Sequence, residues 1–125
     1  MDAELIFESD RVFIIESYAA GHGLLLLRGN RSNSVTTTID ILFRDVRAMD
    51  VRAWSEGLKI ELQDGALLES HPSKPLEMLE PGLNLYRLSG SGWNGFVVAS
   101  RVDSKEGLSA LKGPEGLLAA GVSPM

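Results

Sequence analysis

The 125-residue chain contains no cysteine. This absence excludes disulfides, a thiolate nucleophile, and zinc or iron–sulfur sites held by cysteine. Long apolar runs are also missing, since the longest aliphatic run is Leu24 to Leu27, whereas a membrane-spanning helix needs about 20 apolar residues. The acidic opening over residues 1–4 lacks the basic segment of a signal peptide. We therefore expect a cytoplasmic protein that is neither secreted nor inserted in a membrane.

Basic residues are scarce relative to acidic ones, with 12 Lys and Arg against 17 Asp and Glu and a net charge of −5. This balance argues against nucleic-acid binding, which depends on many cationic contacts to phosphates. The charge is uneven, because residues 21–52 carry five arginines against three aspartates (5 − 3 = +2), whereas residues 1–20 sum to −4 (1 − 5). Arginine favours bidentate pairing with carboxylates. We expect mainly internal ion pairs, with a site for an anion or acidic partner as the alternative.

The composition is that of an ordinary globular protein, with 44% hydrophobic and 23% charged residues. Its dominant period is two, as in residues 58–62, where apolar and charged residues alternate. Residues 35–43 are rich in β-branched side chains and place Asp40 on the face opposite the apolar one, together with Arg44. The continuous runs over residues 12–15 and 24–27 are typical of strands covered on both faces. We predict a single β-rich domain spanning residues 1–125.

Turn-forming residues punctuate these segments at the spacing expected of a sandwich or barrel. The predicted turns and loops lie at residues 8–10, 19–21, 29–34, 64–65, 70–81 and 89–95. The sequence therefore predicts an all-β fold, an antiparallel sandwich or partly open barrel of about eight strands.

Two segments depart from the strand pattern. Residues 104–112 begin with the N-cap candidate Ser104 and are followed by Gly113 and Pro114, which predicts one short C-terminal helix. Residues 45–53 contain a near-repeat of period five, for which we predict a strand, with an apolar helical stripe as the alternative. We expect residues 121–125 to be frayed.

His22 stands between two glycines, Gly21 and Gly23, at a predicted turn. Flanking glycines let the backbone bend sharply and bring an imidazole to the edge of a sheet. We predict a ligand-binding group of His22, Arg28, Asp40 and Arg44; the alternative is a turn histidine that bonds the backbone. No residue is assigned a catalytic role.

Motifs for metals, nucleotides and covalent catalysis are not found in the sequence. The two histidines, His22 and His71, are not in a metal-binding spacing, so we expect no metal. The glycine-rich segment 89–95 precedes a strand-like run instead of a helix, which favours a hairpin over a phosphate loop, and we expect no cofactor.

The two tryptophans, Trp54 and Trp93, flank or occupy predicted connections, and we expect them to cap the core. Exposure of both at one end of the fold would instead indicate the mouth of a ligand pocket or a partner interface.

Three segments together carry a resemblance to known proteins. Residues 18–28 (YAAGHGLLLLR), 38–46 (TIDILFRDV) and 95–99 (GFVVA) resemble a group of small bacterial proteins without assigned activity. The resemblance implies a shared β-rich fold. It implies no reaction, cofactor or catalytic residue.

These observations predict a non-enzymatic binding or protein-interaction module, whose partner is another protein or a second copy joined through an edge strand. The alternative is a small enzyme or ligand-binding barrel with His22 at the mouth of its pocket.

Overall fold

The computed structural model describes residues 4–29, 37–63 and 82–107, which form one antiparallel sheet of eight strands. The strands are β1 (Glu4–Ala19), β2 (Leu24–Gly29), β3 (Thr38–Arg44), β4 (Ala48–Asp50), β5 (Trp54–Gln63), β6 (Asn84–Gly90), β7 (Trp93–Ala99) and β8 (Arg101–Gly107). Their hydrogen-bonded order is β4-β7-β6-β5-β1-β2-β3-β8. The predicted all-β fold of about eight antiparallel strands is confirmed.

The sheet curls strongly about one face. β3 and β6 lie four positions apart in the order, about 19 Å in a flat sheet, yet the rings of Phe43 and Tyr86 have centroids only 5.7 Å apart. The chain also connects the two ends of the strand order. β3, next to one end, leads into β4 at the other end, and β7, next to β4, leads into β8. At these corners the Ser100 amide donates to the Arg44 carbonyl and the Arg47 amide to the Val98 carbonyl, both at 2.9 Å.

The main core fills the concave face of the curled sheet. On β5, Leu58 and Ile60 are buried and alternate with the less buried Lys59 and Glu61, as the period of two predicted. The buried residues of this cluster are Phe13, Leu25, Leu27, Ile39, Ile41, Phe43, Val46, Leu58, Ile60, Tyr86, Leu88, Val97 and Ala99.

β2 is buried on both faces, which confirms the prediction made from its continuous apolar run. Leu25 and Leu27 belong to the main core, whereas Leu24 and Leu26 pack with Leu42 of β3 in a second cluster. A third cluster is formed by Leu85, Phe96 and Val98. Arg28 of β2 and Asp40 of β3 lie on the same face as the second cluster.

The turn predicted at residues 8–10 is wrong, because β1 continues through this segment. Its pairing with β5 shifts register between Leu5 and Phe7 and again between Ser9 and Val12. Such bulges accommodate extra residues by bending a strand without ending it. The polar residues that suggested a turn therefore mark a bulge, and a single long strand spans Glu4–Ala19.

The helix predicted over residues 104–112 is wrong for residues 104–107, which form the end of β8, and its remaining residues lie outside the described ranges. Ser104 pairs with Ile41 and Gly107 with Thr38 in the ladder with β3. Local capping signals are weak compared with a strand ladder on an existing sheet, and a glycine inside the proposed first turn disfavours a helix further.

Two connections differ in length from their predictions. Of residues 45–53, predicted as a strand, only Ala48–Asp50 form one, and Asp45 turns the chain with a φ of 57°. The predicted hairpin near residues 89–95 is confirmed, but its turn contains only Ser91 and Gly92. The features predicted at residues 30–34, 64–65, 70–81 and 121–125 lie outside the described residues.

Candidate interaction surface

The four predicted ligand-binding residues fall into separate places on the sheet. Arg28 of β2 and Asp40 of β3 are directly opposed partners. Arg44 lies four residues further along β3, about 13 Å away along an extended strand, with Leu42 between them on the same face. The structure therefore brings Arg28 and Asp40 together and leaves Arg44 apart from them.

Arg28 and Asp40 form a bidentate ion pair. The Arg28 Nε donates to Oδ1 of Asp40 at 2.7 Å and its Nη2 donates to Oδ2 at 3.0 Å. The Asp40 side chain is 0% exposed and that of Arg28 is 17% exposed, while Oε1 of Glu16 lies 3.7 Å from the Arg28 Nη1. The guanidinium is thus already engaged by two carboxylates, which confirms the predicted internal pairing for this arginine.

Arg44 is engaged by the edge strand. Its Nε lies 3.3 Å from Oδ2 of Asp103, a contact that is ionic but lacks hydrogen-bond geometry. The Arg101 Nε donates to the same oxygen at 3.3 Å. Asp103 therefore holds two arginines on the outer face of β3 and β8.

His22 ends a short 3₁₀ turn over residues 20–22, where the predicted turn between β1 and β2 is found. Gly23 adopts a left-handed conformation (φ 62°), and its carbonyl accepts a hydrogen bond from the Val46 amide at 2.9 Å. This bond docks the turn on the corner between β3 and β4. His22 is half-buried there and lies before β2, with Gly23 and residues 24–27 between it and Arg28.

A cleft of about 320 Å³ lies on another part of the sheet. It forms where β1 bulges opposite Gly57, whose φ of 79° kinks β5. Its lining residues are Glu8, Ser9, Asp10, Glu56, Gly57, Leu58, Lys59, Ser89, Gly90 and Ser91. None of the four predicted ligand-binding residues lines this cleft.

Trp93 caps the core, as predicted. Its indole is half-buried against the main core and donates a hydrogen bond from Nε1 to the Ser55 Oγ at 2.8 Å. The Ser55 hydroxyl in turn donates to the Gly57 carbonyl. A Cβ on Gly90 would lie 2.6 Å from that indole nitrogen and collide with the Ser55 Oγ, so only glycine fits at this position.

Trp54, by contrast, is 58% exposed. It pairs with Ile14 of β1, whose other neighbour is Arg28 of β2. Val12, on the same face of β1 as Ile14, is 37% exposed, while Phe13 between them points into the core. We call the group of Val12, Ile14 and Trp54 the Trp54 surface. Only one of the two tryptophans is therefore exposed.

A second arginine network fastens β1 to β3 and β8. Arg11 donates to the Thr37 carbonyl at 2.8 Å, to the Thr37 Oγ1 at 3.0 Å and to Oε2 of Glu106 at 2.9 Å. The Thr37 hydroxyl donates to the same carboxylate oxygen at 2.7 Å. This hydrogen bond, followed by the charge of Arg11, lowers the pKa of Glu106 below its ordinary value.

The corner at Asp45 uses its polar groups to hold the chain. The Ser100 hydroxyl donates to Oδ2 of Asp45 at 2.6 Å and the Asn84 amide donates to the Ser100 carbonyl at 3.1 Å. Asn84 also lies 3.5 Å from the Tyr86 hydroxyl, and burial raises the pKa of Tyr86 above its ordinary value. These contacts bind β3, β6 and the β7–β8 corner to one another.

The described ranges contain no group of three His, Asp or Glu side chains arranged to hold a metal ion. Within the same ranges, no helix has the length and apolar character needed to cross a membrane.

Comparisons with protein-family models, curated proteins and solved structures found no match to this chain.

Proposed function

We propose that this protein is a non-enzymatic protein-interaction module, built on a partly open β-barrel and acting in the cytoplasm. The observation that carries the proposal is the Trp54 surface, where an indole that is 58% exposed lies beside two aliphatic side chains on one face of β1 and β5. Tryptophan is among the residues that contribute most to protein interfaces. Arg28 and Glu16 border this surface and give it a polar rim.

The positions of the predicted site residues support binding by a surface more than catalysis. Arg28, Asp40 and Arg44 are engaged in ion pairs with other side chains of the sheet. An acid–base group needs a substrate proton within hydrogen-bond reach, and His22 does not line the cleft found among the described residues. The interaction module therefore explains the exposed residues with fewer assumptions than an enzyme with His22 at a pocket mouth.

Small-ligand binding is the second candidate, and the cleft of about 320 Å³ is the observation that favours it. That volume lies at the lower end for small-molecule sites. Its lining includes Glu8, Asp10 and Glu56 with Lys59, so charged side chains of both signs border the cleft. This candidate would place the ligand between β1, β5 and the β6–β7 turn, away from His22.

The interaction proposal is tested by photo-crosslinking in cells. A photoreactive amino acid replaces Trp54 in one variant and Lys105 in a matched control, because Lys105 is also exposed but lies on β8. We expect protein adducts of defined mass from position 54 and none of the same mass from position 105. Equal or absent adducts at the two positions would overturn the proposal.

A further inference from the structure

We infer that the partner of the Trp54 surface is a second copy of this chain, which docks the same surface against itself about a two-fold axis. The inference rests on the proposed function and adds the identity of the partner. An isologous contact requires a surface complementary to itself. The apolar centre meets this requirement, because Val12, Ile14 and Trp54 of one copy would cover the same residues of the other.

The charges beside Trp54 are arranged for such a pairing. Arg52 lies two residues before Trp54 and Glu56 two residues after it, and both are exposed. Neither side chain has an ion-pair partner within the described part of the chain. Arg52 precedes β5, which begins at Trp54. Two segments of residues 52–56 that cross in opposite directions at Trp54 would place Arg52 of each copy beside Glu56 of the other. Charge complementarity therefore favours a second copy in this orientation.

The face is better suited to self-association than the sheet edges. β4, at one end of the strand order, has only three residues. β8, at the other end, carries Arg101, Asp103, Lys105 and Glu106 among its seven residues. Short strands and charged side chains are the means by which exposed edges avoid pairing with another chain. The predicted joining through an edge strand is thus less favourable than joining through the Trp54 surface.

The size of the surface sets the strength of the dimer. A stable interface buries about 800 Å² on each partner, and three apolar side chains with a charged rim cover less than that. We therefore expect a reversible dimer that is populated at high protein concentration and weakened by salt, which screens the rim charges.

Sedimentation equilibrium over a range of protein concentrations tests the inference. We expect concentration-dependent dimer formation for the unaltered protein and none for Trp54→Ala. Arg52→Glu should weaken the dimer by about fivefold or more, since it places two carboxylates together, and Arg52→Glu combined with Glu56→Arg should restore it to within about twofold. Arg101→Glu, with the same change of charge at an exposed position of β8, should leave it unchanged.

The outcomes separate the two proposals. A protein that stays monomeric at millimolar concentration while position 54 crosslinks to other proteins overturns the second copy and leaves the interaction module standing. A monomer without such adducts overturns both. A dimer that survives Trp54→Ala, or a double charge exchange that fails to restore it, also overturns this inference. Circular dichroism of each variant establishes that it is folded.

Discussion

Two arginines hold carboxylates across this sheet in different surroundings. Arg28 meets Asp40 between neighbouring strands, and the Asp40 side chain is fully buried. Arg11 reaches Glu106 from β1 to β8, and the Glu106 side chain is half-exposed. The first pair supplements a strand ladder that already exists, whereas the second joins strands that are not paired with each other.

The comparison of these pairs shows that an arginine–carboxylate ion pair contributes differently to stability according to how deeply its carboxylate is buried. Removing one member of a buried pair leaves a charge without its partner in a poorly solvated place. In the second network the carboxylate is itself 53% exposed, so water already screens its attraction for Arg11, although Arg11 is no more exposed than Arg28. After the loss of Glu106 the Arg11 guanidinium still donates to the Thr37 carbonyl and hydroxyl, so the loss is small. The structure thus predicts a dependence on the Arg28–Asp40 pair that the network of Arg11 and Glu106 does not share.

The largest effect is expected from Asp40→Asn. This substitution keeps the shape of the side chain but removes the charge that balances Arg28. Breaking a buried pair costs about 3–5 kcal/mol, and here Glu16, 3.7 Å from the guanidinium, compensates in part. We expect the free energy of unfolding in urea at pH 7 to fall by about 2–3 kcal/mol. A fall below about 1 kcal/mol, as for exposed pairs, would show that the pair is effectively solvated.

A smaller effect is expected when both members of this pair become apolar. Arg28→Met with Asp40→Leu places apolar side chains beside the cluster of Leu24, Leu26 and Leu42. Replacing a buried pair by apolar residues of similar size is often neutral or stabilising. We expect the double variant to recover at least about half of the stability lost by Asp40→Asn, measured by the same urea unfolding.

The double variant also separates charge from packing. Arg28→Met alone serves as its control, because it leaves the buried carboxylate of Asp40 without this guanidinium. If the double variant is less stable than both single variants, the two side chains contribute through their shape and hydrogen bonds, and the argument from burial fails for this pair.

The strands of this fold were predictable where local pattern and tertiary pairing agree. The alternation over residues 58–62 and the apolar run over residues 24–27 specify which faces are covered, and both were correct. The errors arose where pairing with a distant strand decides the outcome. Residues 8–10 have turn-forming side chains but pair with β5 or bulge beside it, and residues 104–107 have capping signals but pair with β3.

The candidate site was predictable only in part, for a related reason. Arg28 and Asp40 were both named from the sequence, and their strands place them opposite each other. The Trp54 surface was not, because Ile14 and Trp54 are neighbours only through the β1–β5 register, which two bulges set. The apolar run over residues 12–15 predicted a strand covered on both faces, which is wrong for one face, because Phe13 points into the core while Val12 is 37% exposed.

The smallest effect is expected from Glu106→Gln, the counterpart of Asp40→Asn in the exposed network. The pKa of Glu106 is lowered from its ordinary value of 4.5, so its ionised form stabilises the folded state above that pH and this contribution disappears as the pH falls through the folded-state pKa. The stability difference between the unaltered protein and Glu106→Gln should therefore be a small fraction of that for Asp40→Asn at pH 7. It should shrink further at pH 3 and in about 1 M salt, where charges are screened within about 3 Å. A difference that persists in full at pH 3 would mean that Glu106 acts by packing, and the contrast with Asp40 would then not rest on charge and burial.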